Sequence, residues 1–208
     1  MQDAPFIEAK QTRSQQTQKK LLTALSDCLQ EQFFEHISIA QLTEMAGVSV
    51  GTFYRRFKNK EALLPLLYQE FSEHLKSWVN TLEQQPASNL QSQVEVLVNE
   101  SLTFLTDNAG VLRTLHLNAR LYPEILTPEQ LSTRSSEYKR MSSLLMAHKN
   151  EINHASPQEA CDMVVFMLTN SLIDKVLYRD LTPAIASQLS LQDTCRELNA
   201  MLHNYLSH

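Results

Sequence analysis

Arginine and lysine side chains are concentrated in residues 55–60, the segment that contains Arg55, Arg56, Lys58 and Lys60. Such cations bind phosphate oxygens, and arginine also forms paired hydrogen bonds with guanine in the major groove of DNA. Because the whole chain has a net charge of −5, this local cluster indicates an anionic partner at one site. A basic run is more often an ordinary solvated helix face, so it does not decide the function by itself.

The charges are divided unevenly along the chain. Residues 1–60 contain eight basic and six acidic side chains, whereas residues 61–208 contain ten basic and seventeen acidic ones. The positive balance is confined to the N-terminal part, and a nucleic-acid-binding function would therefore lie there.

Side chains suited to catalysis or metal binding are sparse. Glu151 and His154 have the Glu-x-x-His spacing that di-iron helical bundles use twice, but here the spacing occurs once. Glu70 and His74 form an ordinary i, i+4 helical pair. The sequence lacks HExxH, CxxC and a glycine-rich phosphate loop. It therefore predicts no enzyme, no metal and no cofactor. The alternative is a helical-bundle enzyme or a ligand-binding protein without DNA binding.

The elements that would position the basic cluster are helices. Hydrophobic residues make up 43% of the chain, and only three glycines and seven prolines interrupt it, which favours an all-α fold. Leu21, Leu25 and Leu29 recur at helical spacing and predict a first helix over residues 14–32.

Two short capped helices follow. Ser38, with a glutamine three residues later, has the spacing of a capping box and predicts a helix over residues 39–46. Gly47 ends that helix, and Ser49 caps another that continues to about residue 57. Two short helices joined by a tight turn are typical of a helix-turn-helix.

The second short helix has an apolar face and a polar face. Phe53 and Phe57 are one turn apart and are expected to pack inward. The opposite side would then suit the major groove of DNA, with small and basic residues directed outward: Gly51, Thr52, Arg55 and Arg56.

These residues resemble the TetR/AcrR family, in order and without gaps, at Leu42, residues 46–49, residues 51–54, Phe57 and residues 60–63. The resemblance covers about residues 14–64. It implies a homodimeric transcriptional repressor that binds a double-stranded DNA operator and is released by a small-molecule effector. It also implies that Ser38, Tyr54 and Lys60 hold the phosphate backbone. The predicted DNA-binding set is Ser38, Ser49, Val50, Gly51, Thr52, Tyr54, Arg55, Arg56, Lys58 and Lys60.

Two positions depart from the family pattern. Phe33 and Phe34 stand where the family has a glycine followed by an aromatic residue, and Thr43 replaces its alanine. These changes affect the path of the connection after the first helix.

The remaining sequence predicts a helical domain. We expect a DNA-binding domain over residues 1–58, with residues 1–13 as a mobile arm, and an effector and dimerisation domain over residues 59–208. A long helix follows Asn59, with Pro65 either kinking it or delaying its start. Prolines tend to begin or end helices, and their positions predict later helices near residues 90–107, 111–121, 128–151, 157–178 and 184–206.

Several apolar and polar side chains in this part could line an effector cavity, although any single one is more often core. The predicted ligand-binding set is Trp78, Phe104, His116, Tyr122, Met141, Phe166, Met167 and Asn170. The helix over residues 157–178 is apolar almost all round, which predicts that it and the last helix form a four-helix interface between two subunits. An intrachain core is the alternative.

Cys28, Cys161 and Cys195 are far apart and set among apolar neighbours, so we expect buried thiols rather than a disulfide or a metal site. No segment has the length and apolarity of a membrane span or secretory signal. The sequence predicts a cytoplasmic protein without a membrane partner.

Overall fold

In the computed structural model, residues 5–123, 126–181 and 183–208 are described, with side chains from residue 14 onward. These residues form α-helices and short 3-10 turns and contain no β-strand, which confirms the all-α prediction. The helices are α1 (Pro5–Glu31), α2 (Ile39–Met45), α3 (Val50–Tyr54), α4 (Leu64–Glu83), α5 (Leu90–Asp107), α6 (Ala109–Leu121), α7 (Pro128–Met146), α8 (Pro157–Leu177) and α9 (Leu191–Ser207).

Several predicted helix ends differ from the structure. Helix α1 begins at Pro5 rather than at residue 14, so residues 5–13 of the expected mobile arm are helical, whereas residues 1–4 lie outside the described residues. Helix α3 ends at Tyr54 rather than near residue 57. Local turns account for two further differences. The helix expected over 128–151 ends at Met146, and Lys149–Glu151 form a separate 3-10 turn. The last helix begins only at Leu191, where the Ser190 side chain accepts a hydrogen bond from the backbone N–H of Asp193. Pro65 does not kink α4. The helix starts late, after a 3-10 turn over Lys60–Leu63, so that Pro65 lies in its first turn, where proline is tolerated.

The chain contains two compact units. The first consists of the described residues of 1–70 and 110–126, and the second of 71–109 and the described residues of 127–208. The first unit therefore includes the start of α4 and all of α6 from Gly110 onward, in addition to the three N-terminal helices. The functional boundary expected after residue 58 stays a prediction.

The core of the first unit forms around α1. Leu21, Leu25 and Leu29 have no exposed surface, and α1 packs against α2. The connection after α1 is a 3-10 turn, Phe34–His36, in which Phe34 is buried. The departure at Thr43 is also accommodated, because its buried hydroxyl donates to the carbonyl of Ala40 at 2.9 Å.

Helix α6 docks on the C-terminal end of α1 through Gly110. A Cβ atom at this position would lie 2.0 Å from the carbonyl oxygen of Leu29, which is closer than any real contact. One turn later, Arg113 donates to the carbonyls of Leu29 at 3.2 Å and Gln32 at 3.1 Å, and its guanidinium lies 4.2 Å from the ring centre of Phe33. The glycine permits close approach, and the arginine satisfies carbonyls at the end of α1 that lack partners within the helix.

The second unit is a helical bundle in which α8 packs against α5, α7 and α9. One face of α8 is fully covered, with Cys161, Val164 and Leu168 among its buried residues. The N-terminus of α5 is capped by Asn89, whose Oδ1 accepts the Ser92 N–H at 2.8 Å. The N-terminus of α7 has a complete reciprocal capping box, and its members are Thr127 and Gln130.

All three cysteines are free and buried, as predicted. Burial raises the pKa of Cys161 to about 11, with the Asp162 carboxylate adding to the shift, and burial likewise raises the pKa of Cys28 and Cys195. No helix in the described part of the chain is long and apolar enough to cross a membrane.

Candidate DNA interface

The turn between α2 and α3 is closed by a Schellman motif centred on Gly47. The N–H of Gly47 donates to Glu44 at 3.0 Å, and the N–H of Val48 donates to Thr43 at 2.9 Å. Gly47 has a φ of 62°, a left-handed conformation that other residues adopt at a cost. The motif turns the chain sharply, so that α3 starts within a few residues of the end of α2.

Serine side chains cap both short helices. Ser38 Oγ accepts the N–H of Gln41 at 3.1 Å, and Ser49 Oγ accepts the N–H of Thr52 at 3.1 Å. Each bond satisfies a backbone donor that has no partner within its helix. The two serines are exposed and therefore fix the positions of the helix starts at the protein surface.

Apolar side chains hold α3 against the rest of the first unit. Phe53 is fully buried, and Phe57 is buried 5.4 Å from it, measured between ring centres. Ile37 and Leu42 are also buried, as expected for a hydrophobic staple on α2. The inward placement of Phe53 and Phe57 determines which side chains of α3 remain outside.

The outward face of α3 bears a short chain of hydrogen bonds. Ser49 Oγ lies 2.9 Å from Thr52 Oγ1, which accepts a bond of 2.8 Å from Nη2 of Arg55. The caps and bonds hold the Arg55 guanidinium in a defined direction before any partner binds. Val50 and Tyr54 lie on the same short helix with 43% and 57% of their surfaces exposed, although both are large and partly apolar.

Gly51 is not required by the protein itself. Its φ is not positive, and a Cβ atom there would meet nothing closer than Ser49 Oγ at 3.9 Å. The missing side chain therefore leaves open space at the exposed surface of α3. Such space suits close approach of a partner's backbone or base edge.

Arg56 is directed toward α1 rather than along α3. Its Nη1 donates to the backbone carbonyl of Ser14 at 2.7 Å and to the Ser14 hydroxyl at 2.5 Å. Sequence reasoning did not identify Ser14, because a contact between positions so far apart leaves no local pattern. Lys58 is exposed, close to the other basic residues in sequence.

Lys60 is placed differently from what the family resemblance implied. Its Nζ donates to the carbonyls of Phe34 at 2.6 Å, Glu35 at 3.2 Å and Ile37 at 2.8 Å, and it lies 4.5 Å from the ring centre of Phe34. All three ammonium protons are therefore used within the protein. Burial lowers the pKa of Lys60, while the nearby Glu61 and Glu35 carboxylates oppose this shift. The Lys60 amine therefore binds the turn before α2. Its predicted contact with DNA phosphate stays a prediction, and the amine would have to give up one of these three hydrogen bonds to make it.

The eight predicted effector residues do not form one group within either unit. His116 and Tyr122 belong to the first unit and the others to the second. Phe166, Met167 and Asn170 are exposed on the outer side of α8, and Asn170 donates to its own helix at the carbonyl of Phe166. Trp78 and Phe104 stack at 4.7 Å between ring centres, and Met141 is buried.

A cleft of about 360 Å³ lies between α5 and α9 in the second unit. None of the predicted effector residues lines it. Sequence periodicity indicated which residues face inward but not where two helices leave a gap. Its polar lining includes Glu95 and Asn99 on α5 and Arg196, Asn199 and His203 on α9.

Glu151 and His154 have local structural contacts. Glu151 Oε2 accepts the backbone N–H of Leu90 at the start of α5, and His154 Nδ1 lies 3.1 Å from the N–H of Ser156. Among the described residues, no three His, Cys, Asp or Glu side chains are grouped as metal ligands.

Comparison with known proteins agrees with this geometry. Residues 21–67 match the family described as bacterial regulatory proteins, tetR family. The nucleoid occlusion factor SlmA of Marinomonas sp. (strain MWYL1) is 30% identical over 100 residues, which is 48% of this chain and only 50% of that protein. An uncharacterized HTH-type transcriptional regulator of Mycobacterium tuberculosis (strain H37Rv) is 24% identical over 86% of this chain and 90% of its own length.

Solved structures share the fold across nearly the whole chain. The crystal structure of a TetR transcription regulator from Haloarcula marismortui superposes with a TM-score of 0.62, at 15% identity. The match covers 94% of this chain and all of that one. The matched segment, residues 21–67, contains the capped helices α2 and α3, so these helices form a helix-turn-helix of the tetR-family type, and the comparisons support a DNA-binding transcriptional regulator.

Proposed function

We propose that the protein is a repressor that binds an operator as a homodimer and is released by a small-molecule effector. We also place it in the cytoplasm, where it would reach chromosomal DNA. The observation that supports operator binding most directly is the prearranged outer face of α3, with the Ser49, Thr52 and Arg55 bonds beside the open position at Gly51. The face presents donors without a bulky side chain between them, as a helix entering the major groove requires.

Within this face, the residues have different roles. Tyr54, exposed at the end of α3, and the caps Ser38 and Ser49 are suited to phosphate. Val50, Gly51, Thr52 and Arg55 are suited to base edges. Lys58 would add a nonspecific phosphate contact, whereas Arg56 would hold α3 against α1 through Ser14.

DNase I footprinting tests operator binding directly. Purified full-length protein should protect a site in the intergenic DNA that flanks its own gene, at low salt. An absence of any protected site under these conditions would exclude the regulatory function.

Arg55→Ala should change the preference among sites. If Arg55 contacts a guanine, the variant should lose about tenfold or more in the ratio of operator to random-DNA affinity, because one paired contact contributes roughly 1–3 kcal/mol of discrimination. Fluorescence anisotropy with both duplexes measures this ratio. Arg56→Ala is the matched control, since its guanidinium is bonded to Ser14, and it should leave the ratio unchanged. Equal weakening on both duplexes by Arg55→Ala would show a phosphate contact instead.

A homodimer is favoured by apolar side chains left outside the second unit. Met163, Phe166 and Met167 are exposed on α8, and Met201 and Tyr205 on α9, each set spaced to share one helix face. A symmetric pairing of these two helices with their copies would cover both sets. A dimer also suits operator binding, because two-fold helix-turn-helix dimers bind half-sites about 34–36 Å apart on DNA.

Sedimentation equilibrium of the full chain tests the dimer. We expect a dimer at micromolar concentration, which Phe166→Glu converts to a monomer with unchanged helical content. The matched control is Leu131→Glu, an exposed apolar residue on α7, which should remain dimeric. A monomeric parent protein would contradict the proposal.

The effector would act by favouring one of two conformations of the dimer. Helix α4 contributes residues to both compact units, so it is a continuous covalent route between them. A ligand that binds more tightly to the conformation with low affinity for DNA would release the operator. Titration of the operator complex with fractionated metabolites tests this step, and failure of every fraction to release DNA would count against it.

A further inference from the structure

Three aromatic rings in the second unit form a continuous cluster between α4 and α5. Phe104 on α5 stacks on Trp78 at 4.7 Å with the ring planes 23° apart, and it also contacts Phe71 at 5.8 Å between ring centres. Phe71 and Trp78 are two turns apart on α4 and therefore share a face. Phe71 is buried, whereas Trp78 and Phe104 keep part of their surface accessible.

A cation lies at one end of this cluster. The Arg134 guanidinium on α7 is 5.5 Å from the ring centre of Phe71. It is partly buried, and no acidic side chain among the described residues forms an ion pair with it. The neighbouring Arg140, by contrast, is paired with both Glu83 and Glu137. A partly buried guanidinium without a counter-ion is an unusual feature of a protein interior.

Further hydrogen-bond donors belong to the same cluster. The indole Nε1 of Trp78 is buried and has no acceptor among the described residues, although buried indole N–H groups usually find one. Tyr138 lies one turn beyond Arg134 on α7. Burial raises the pKa of its phenol, while the charge of Arg134 opposes the shift, so the two groups lie close together and the phenol keeps its proton at neutral pH.

The cluster thus combines aromatic faces with three kinds of donor, and no carboxylate among the described residues forms an ion pair with its guanidinium. We infer that it is the part of the effector site that recognises an apolar carboxylate, with Arg134 binding the carboxylate and Phe71, Trp78 and Phe104 contacting the apolar body. This inference rests on the proposed small-molecule control, which it makes specific. Aromatic bodies gain from offset stacking on the exposed ring surfaces, and the carboxylate supplies the counter-ion that Arg134 lacks.

Calorimetric titration of the full-length protein tests the inference with benzoate, 1-naphthoate and octanoate, each compared with its primary amide. At least one carboxylate should bind about tenfold or more tightly than its amide. Arg134→Gln should reduce this preference toward unity with unchanged circular dichroism. Because Trp78 is the single tryptophan of the chain, octanoate binding should also change the intrinsic fluorescence.

The matched control is Arg196→Gln, which removes the guanidinium lining the cleft between α5 and α9. It should leave the carboxylate preference intact. Loss of the preference in Arg196→Gln rather than Arg134→Gln would overturn the inference, as would equal binding of acids and amides or no binding of any acid. Release of the operator is measured in a separate experiment. If a carboxylate binds but does not release DNA, the proposed effector control is contradicted and the carboxylate site is not. If only neutral molecules release DNA, the carboxylate site is contradicted and effector control is not.

Discussion

Replacement of Gly110 by alanine is expected to lower the free energy of unfolding by about 3 kcal/mol, which corresponds to roughly 6–12 °C in the melting temperature of a chain of this size. The added Cβ would lie 2.0 Å from the carbonyl oxygen of Leu29, 2.4 Å from its carbon and 2.9 Å from the nitrogen of Gln30. These are backbone atoms and cannot rotate away. Helix α6 must therefore move off α1, which also breaks the bonds from Arg113 to the end of α1.

Gly51→Ala is the matched control for this change. Gly51 also lies in a helix, but its position is open, so alanine should leave stability unchanged or raise it by up to about 1 kcal/mol. Urea unfolding followed by circular dichroism measures both variants. If Gly110→Ala unfolds at the same urea concentration as the parent protein, the close approach of α6 to α1 is not present in solution.

Lys60→Met is expected to lower the free energy of unfolding by about 2 kcal/mol. Methionine retains most of the apolar stem but loses the three bonds to the carbonyls of Phe34, Glu35 and Ile37. The logarithmic dependence of operator affinity on salt should keep its slope, because the amine is not available to phosphate. Measurement of operator affinity over a range of salt concentrations separates a structural role of Lys60 from a DNA contact.

Lys58→Met provides the opposite pattern. Lys58 is exposed, so its loss should leave stability unchanged and reduce the salt slope by about one unit if it contacts a phosphate. A Lys60→Met variant with a flattened slope and unchanged stability would show that the side chain leaves its three carbonyls to bind DNA.

Local features of the fold could be predicted from the sequence because their causes are local. Ser38, Gly47 and Ser49 determine the ends of α2 and α3 through contacts within a few residues, and the structure contains those contacts. The inward placement of Phe53 and Phe57 follows from helical spacing and fixes which side chains of α3 are exposed.

The remaining features depend on residues distant in sequence. Lys60 contacts the turn at Phe34, and Arg56 contacts Ser14, neither of which a local pattern indicates. The effector set was chosen by residue type, which does not distinguish the exposed Phe166 from the stacked Trp78. Arg134 was not identified at all, since the absence of a counter-ion becomes visible only when neighbouring helices are in place.

The inclusion of α6 in the first unit has a consequence for recombinant regulators. A chimera joined after residue 58 would exchange α1 to α3 but retain a foreign α6, and a bulkier residue at the position of Gly110 would meet the carbonyl of Leu29. We therefore expect the transferable DNA-binding module to be discontinuous in the gene. A chimera that keeps this DNA specificity should therefore include the coding sequence for α6 together with that for the N-terminal helices.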